Sequence, residues 1–224
     1  MILAFDCSGK SVSAAVCDEK SGNPLAARFS EGGGPHSVTL MPLIDEVLKE
    51  AGVTVKDLSF AAVTVGPGSF TGVRIGVSLA KGLLLPYNIP VKAVSSLEAA
   101  AESVKEDGVI LALSDARRER FYFAFFERKG GVLTRLSEDA VDGFGTVSAH
   151  ADFYGATVTG DGALLFKELC KKDCKVRPFK GVDALDVCLV SLKKEAVDVR
   201  KLAPVYLALP QAERERNARL AAEK

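Results

Sequence analysis

A glycine-rich stretch, residues 66–82, constrains the fold of this chain more than any other feature of its sequence. It reads Gly-Pro-Gly-Ser-Phe-Thr-Gly-Val-Arg-Ile-Gly-Val-Ser-Leu-Ala-Lys-Gly, and it follows an apolar run at residues 60–65 that predicts a buried strand. The opening Gly-Pro-Gly predicts a turn after that strand. Ser69 or Thr71 can then cap a helix by accepting hydrogen bonds from its first backbone N–H groups. The stretch therefore predicts a strand, a tight turn and a helix in direct succession.

The predicted helix carries glycines on one of its sides. Gly72 and Gly76 are four residues apart and so share a face. Each glycine costs about 1 kcal/mol relative to alanine in a helix interior. A glycine-lined face lets another backbone approach closely, so we expect this helix to pack tightly against another element.

Composition and charge exclude several classes of protein. The 224 residues contain 29 basic and 29 acidic side chains, so the net charge is zero, without the basic excess of a free-standing nucleic-acid binder. No apolar run approaches the length of a transmembrane helix, and the N-terminus lacks the basic flank of a signal peptide. Five cysteines, an odd number, are expected to be reduced and mostly buried, as in a cytoplasmic protein.

The order of the predicted elements indicates two similar halves. The first half begins with strands at residues 2–5, 12–17 and 25–29, which are followed by a helix at 37–50. The strand and helix described above come next, and then a strand near residue 90 and a helix capped by Ser95. A second set begins at residue 108 with strand, Asp-containing turn, strand and strand. Two tandem βββαβα lobes in an α/β protein are the pattern of the actin, hexokinase and Hsp70 ATPase superfamily. We predict an N-terminal lobe at 1–106, a C-terminal lobe at 107–207 and a charged helical tail at 208–224.

Five motifs resemble one family. They are Ile2-Leu-Ala-Phe-Asp-Cys-Ser8, His36-Ser-Val-Thr-Leu-Met-Pro-Leu-Ile44, Gly66-Pro-Gly-Ser-Phe-Thr-Gly-Val-Arg-Ile-Gly76, Asp115-Ala-Arg-Arg-Glu119 with its aromatic strand, and Pro204-Val-Tyr-Leu207. Together they resemble the TsaB (YeaZ) family of bacterial tRNA threonylcarbamoyladenosine biosynthesis proteins. One departure is Ala208, where the family commonly has arginine.

The resemblance implies a non-catalytic scaffold subunit in the formation of N6-threonylcarbamoyladenosine at position 37 of tRNAs. It implies that the catalytic subunit TsaD binds the first two helices and that the ATPase TsaE joins them. ATP, metal and threonylcarbamoyl-AMP are expected on the partner subunits, and tRNA mainly through the complex. We further expect a homodimer when TsaD is absent. The residues expected at the partner interface are Leu40, Leu43, Ile44, Val47, Gly72, Val73, Gly76, Val77 and Ala80.

Other chemistries find weaker support in the residues. A His-x-x-x-His metal site is not expected, because Leu40 stands four residues after His36 and the second histidine is the distant His150. A peptidase is disfavoured because Pro67 replaces the first glycine of a Gly-x-Ser-x-Gly elbow. A small-molecule kinase or ATPase of the same fold is the alternative. Its nucleotide would lie near Asp6, Ser8, Gly160 and Gly162.

Two basic clusters could contact tRNA phosphates. Their members are Arg117, Arg118 and Arg120 in one case, and Arg214, Arg216 and Arg219 in the other. Acidic residues are interleaved in both, so a solvated turn and a solvated helix are the preferred interpretation.

Overall fold

The computed structural model describes residues 1–32, 34–170 and 173–208. In the first half, the strands are β1 (Ile2–Asp6), β2 (Val12–Cys17), β3 (Pro24–Ser30), β4 (Phe60–Thr64) and β5 (Val91–Val94), and the helices are α1 (His36–Glu50), α2 (Phe70–Leu84) and α3 (Ser96–Glu102). In the second half, the strands are β6 (Gly108–Asp115), β7 (Arg120–Lys129), β8 (Val132–Arg135), β9 (Ala140–Gly143) and β10 (Thr157–Thr159), and the helices are α4 (Phe144–Tyr154), α5 (Ala163–Leu169) and α6 (Ala184–Ser191). None of the helices within these described ranges is long and apolar enough to cross a membrane.

The first lobe is built on a mixed five-stranded sheet in the order β3-β2-β1-β4-β5. Strand β1 is antiparallel to β2 and parallel to β4. Because side chains alternate across a strand, Leu3 and Phe5 join the core beneath α1 and α2, whereas Ile2 and Ala4 join the core beneath α6. The central strand is therefore covered on both faces.

The second lobe repeats this plan with the order β10-β6-β7-β8, and β10 runs parallel to β6. Helices α4 and α5 contribute to the core on one face, where Phe121 packs edge-on against Phe166. Helix α3 covers the other face through Leu97 and Ala100. The predicted fold class, an α/β protein with two similar lobes, is confirmed.

Two elements of the second lobe were not predicted. Strand β9 pairs with β7, and α4 follows it directly. Helix α4 begins after Gly143 without a side-chain cap and contains Gly145. The usual sequence marks of a helix start are therefore missing.

The C-terminal lobe does not extend to residue 207, as its predicted range of 107–207 requires. Val182 and helix α6 return to the first sheet, where Val187 and Cys188 are buried against it. Beyond α6, Val199 and Leu202 are buried in the core beneath α1 and α2. The chain thus crosses back to the first lobe at about residue 182. Apart from Ala208, the predicted helical tail lies outside the described residues.

The predicted partner-interface residues are mostly buried inside the first lobe, so their assignment to an exposed surface was wrong. On α2, the carbonyl oxygen of Cys7 lies where a Cβ on Gly72 would stand, and a Cβ on Gly76 would lie 3.1 Å from the Cys7 sulfur. The glycine face therefore lets α2 approach the end of β1 rather than a partner. Leu43 is half-buried, and the eight buried residues are Leu40, Ile44, Val47, Gly72, Val73, Gly76, Val77 and Ala80.

Candidate functional site

The turn after β1 is closed by its own hydrogen bonds. One oxygen of the Asp6 carboxylate, Oδ1, accepts from the backbone N–H of Ser8 at 3.1 Å and from its hydroxyl at 2.6 Å. The same oxygen accepts from the Thr64 hydroxyl at 2.5 Å. Asp6, Ser8 and Thr64 are all buried. The N–H of Ser8 is thus already engaged within the chain.

The loop before α2 packs onto this turn. Ser69 N–H donates to the carbonyl oxygen of Ser8 at 2.7 Å, and a Cβ on Gly68 would overlap that same oxygen. The Ser69 hydroxyl accepts from Gly72 N–H at 3.1 Å and so caps α2, as one of the two predicted caps. Gly68, the second glycine of the Gly-Pro-Gly sequence, is therefore required by the close packing of two backbone segments.

The second oxygen of Asp6 has no partner within the described residues. Burial raises the pKa of Asp6, and the hydrogen bonds from Ser8 and Thr64 oppose that shift. A buried carboxylate with an unpartnered oxygen is typical of a ligand site or a strain reservoir. Asp6 is fully buried and does not line the cleft between the lobes, whereas Ser8 and Gly68 do, so this carboxylate is not exposed to a ligand in the cleft.

A cleft of about 770 Å³ separates the two lobes. Ser8 lines it from the first lobe and Gly160 from the second, whereas buried Asp6 lies behind Ser8. A Cβ on Gly160 would overlap the carbonyl of Leu113, and one on Gly162 would lie 3.0 Å from the Phe121 ring. Both glycines thus serve packing within the second lobe. Of the four residues predicted near a nucleotide, two reach the cleft surface.

No three His, Cys, Asp or Glu side chains gather into a metal-binding group within residues 1–32, 34–170 and 173–208. His36 begins α1, and its Nε2 lies 3.2 Å from the carbonyl oxygen of Lys10. His150 lies in the other lobe, near the Phe125 ring. The two histidines are therefore not brought together.

The sides of α1 and α2 that face away from the sheet form what we call the outer helical surface. Val38 and Met41 of α1 are 64% and 41% exposed. On α2, a Cβ on Gly82 would meet no atom within 4 Å. The surface mixes large apolar and small side chains, and its members are Val38, Met41, Pro42, Thr71, Ser78 and Gly82.

An aromatic cluster at the start of α2 was not predicted. The guanidinium of Arg74 lies 3.6 Å from the centre of the Phe70 ring and donates through Nε to the Tyr206 hydroxyl at 2.7 Å. The spacing of Phe70 and Arg74 on one helix hinted at their contact, but Tyr206 is 132 residues away from Arg74. Only the fold brings it there.

The basic turn between β6 and β7 lies at the edge of the cleft. Arg117, Arg118 and Glu119 all have positive φ, between 55° and 67°. Arg117 lines the cleft and forms an ion pair with Asp115 at 3.5 Å. The predicted cluster of Arg214, Arg216 and Arg219 lies outside the described residues. Ala208, which stands where the family commonly has arginine, lines the cleft.

Comparison with known proteins identifies the family. Residues 32–213 match the model of the family described as TsaD, tRNA N6-adenosine threonylcarbamoyltransferase. The chain is 34% identical to the tRNA threonylcarbamoyladenosine biosynthesis protein TsaB of Bacillus subtilis, over 95% of this chain and 96% of that protein. The chain belongs to the TsaB family. The TsaB of Escherichia coli is also 34% identical, over 62% of this chain and 61% of its own length.

Solved structures agree with membership in the TsaB family. The structure described as YeaZ from Pseudomonas aeruginosa superposes with a TM-score of 0.80 at 26% identity, covering 92% of this chain and 99% of that one. A second structure, described as similar to the peptidase YeaZ from the same species, has a TM-score of 0.82 at 25% identity and the same coverage. The resemblance predicted from the five motifs is therefore confirmed.

Proposed function

We propose that this chain acts in the formation of N6-threonylcarbamoyladenosine in tRNA, as a non-catalytic subunit that binds TsaD. In this proposal TsaE joins the pair, and ATP, metal and threonylcarbamoyl-AMP bind the partner subunits. The chain works in the cytoplasm and meets tRNA mainly through the complex. The names of its relatives support a role in threonylcarbamoyladenosine biosynthesis. The closed turn after β1 supports a non-catalytic role.

The closed turn argues against the alternative of a kinase or ATPase. Phosphate groups are commonly held by backbone N–H groups that point into an open turn. Here the N–H of Ser8 donates to Asp6, and the loop carrying Gly68 packs against the Ser8 carbonyl. A phosphate at this place would have to displace both contacts. The Ser69 hydroxyl is likewise engaged as the cap of α2, which disfavours its use as a peptidase nucleophile.

The outer helical surface is the observation that carries the scaffold role. It exposes Val38 and Met41 beside the small residues Thr71, Ser78 and Gly82, and small side chains let the backbones of two helices approach. Because this chain itself matches the TsaD family model, TsaD is expected to present a similar helix pair. Two similar pairs can pack around a pseudo-twofold axis. The same surface gives a homodimer when TsaD is absent.

A calorimetric titration separates the scaffold from the enzyme. We expect the purified chain to bind TsaD of the same organism in the micromolar range or tighter, within the range of standard-sized interfaces. Under the same conditions Mg·ATP should give no heat of binding at micromolar concentrations, since the turn after β1 is closed. Micromolar binding of Mg·ATP by the isolated chain would favour the enzyme, and failure to bind TsaD would refute the scaffold.

A further inference from the structure

Arg74 is held in a fixed orientation by two aromatic side chains. Its guanidinium stacks on Phe70 at 3.6 Å, and its Nε donates to the Tyr206 hydroxyl at 2.7 Å. The rings of Phe70 and Tyr206 themselves lie 5.2 Å apart. A stacked guanidinium bonded through Nε can rotate little, so the outer edge formed by its two Nη groups is pre-oriented.

That outer edge has no acceptor among the described residues. Neither α2 nor the segment at residues 203–208 contains an acidic side chain. The contrast with other arginines of the chain is clear, because each of six forms an ion pair with at least one carboxylate: Arg28, Arg117, Arg128, Arg135, Arg177 and Arg200. Arg74 instead has a neutral hydroxyl on one side, and in the part of the chain that the structure describes its Nη donors meet no carboxylate.

The surroundings of Arg74 have the composition of a protein interface. Phe70 and Tyr206, whose rings flank the guanidinium, are 38% and 46% exposed. Val205, which precedes Tyr206 in the chain, is 43% exposed. Aromatic residues and arginine are enriched at the centres of protein interfaces. On α2, Arg74 stands between Thr71 and Ser78, so the cluster is continuous with the outer helical surface.

We propose that Arg74 binds a carboxylate of a protein partner and donates two parallel hydrogen bonds to it from Nη1 and Nη2. The proposal rests on the proposed function, because it assigns that carboxylate to an acidic side chain of the TsaD helices that pack on the outer helical surface. Phe70 and Tyr206 are positioning residues for the guanidinium. A nucleic-acid phosphate is the less suitable anion, because nucleic-acid affinity is built from many cations and neither α2 nor residues 203–208 place another arginine beside Arg74.

The test compares three variants for binding to TsaD by titration calorimetry, with the melting temperature of each as a check of folding. Arg74→Ala should weaken binding at least about tenfold, as for a central interface arginine. Arg74→Lys should also weaken it, by about fivefold or more, because lysine keeps the charge but cannot form the two parallel bonds. Arg200→Ala is the matched control: Arg200 is exposed but already paired with Asp198, so affinity should change less than about twofold.

The outcomes separate this proposal from the proposed function. If TsaD binds the parent chain but Arg74→Ala and Arg200→Ala lower affinity equally, Arg74 has no special carboxylate and the inference is wrong, while the scaffold remains. Full binding by Arg74→Lys would show that charge alone suffices and would overturn the two-bond geometry. Loss of tRNA binding with unchanged TsaD binding would identify the anion as phosphate instead.

Discussion

Replacing Gly72 by alanine should strongly destabilise the isolated chain. The added methyl group would overlap the carbonyl oxygen of Cys7 and lie 3.3 Å from Nδ1 of His36. Cys7 directly follows a strand that is paired on both sides, so its backbone cannot move away cheaply. Overpacking in a core costs about 1–3 kcal/mol and occasionally more, and contact with backbone favours the upper end. At about 2–4 °C per kcal/mol for a chain of this size, a fall of roughly 6–12 °C in melting temperature follows.

Gly82→Ala is the matched control for this change. It makes the same substitution in the same helix, where the new methyl group meets no atom within 4 Å. Since alanine is the better helix former by about 1 kcal/mol, this variant should melt at the same temperature or slightly higher. Equal melting temperatures for Gly72→Ala and the parent chain would mean that α2 does not pack against the end of β1.

Replacing Gly82 by leucine should leave the fold of the isolated chain intact but weaken its binding to TsaD. The side chain would extend into open space in the isolated chain and would raise helix propensity. In a complex it would stand between two closely packed helices, where overpacking costs about 1–3 kcal/mol, or tenfold or more in the dissociation constant for TsaD. The measurement is a titration with TsaD, accompanied by a thermal melt.

Gly145→Leu is the matched control, because it tests whether a leucine added at an exposed helical position elsewhere on the protein also weakens TsaD binding. Gly145 lies in α4 of the second lobe, and a Cβ there also meets nothing within 4 Å. This variant should bind TsaD like the parent chain. The proposed interface is incorrect if Gly82→Leu binds TsaD as tightly as Gly145→Leu does.

Helix α2 shows which features of the fold could be predicted from the sequence and which could not. Its strand, turn and helix were predicted from glycines and from Ser69, because these are local signals. The side on which the glycines lie was assigned wrongly to a partner. Val73, Val77 and Ala80 share that side and are buried in the core of the same lobe. A helical pattern shows which residues are buried together but does not show whether the covering surface belongs to the same chain.

Features that depend on distant contacts could not be predicted. Tyr206 reaches Arg74 from the far end of the chain, and α6 returns to the first sheet after the second lobe is complete. The spacing of residues within a single helix or strand does not indicate either contact. The family resemblance, in contrast, rested on short contiguous motifs and was therefore visible in the sequence.

The central claim is that this chain supports the modification without catalysing it. Its most direct test measures threonylcarbamoylated adenosine in tRNA supplied with threonylcarbamoyl-AMP, using this chain alone, TsaD with TsaE, or all three proteins, with ATP present throughout. We predict no product from this chain alone and substantially more product from all three proteins than from TsaD with TsaE. Product formed by this chain without TsaD, or an equal yield from TsaD and TsaE when it is omitted, would contradict the account.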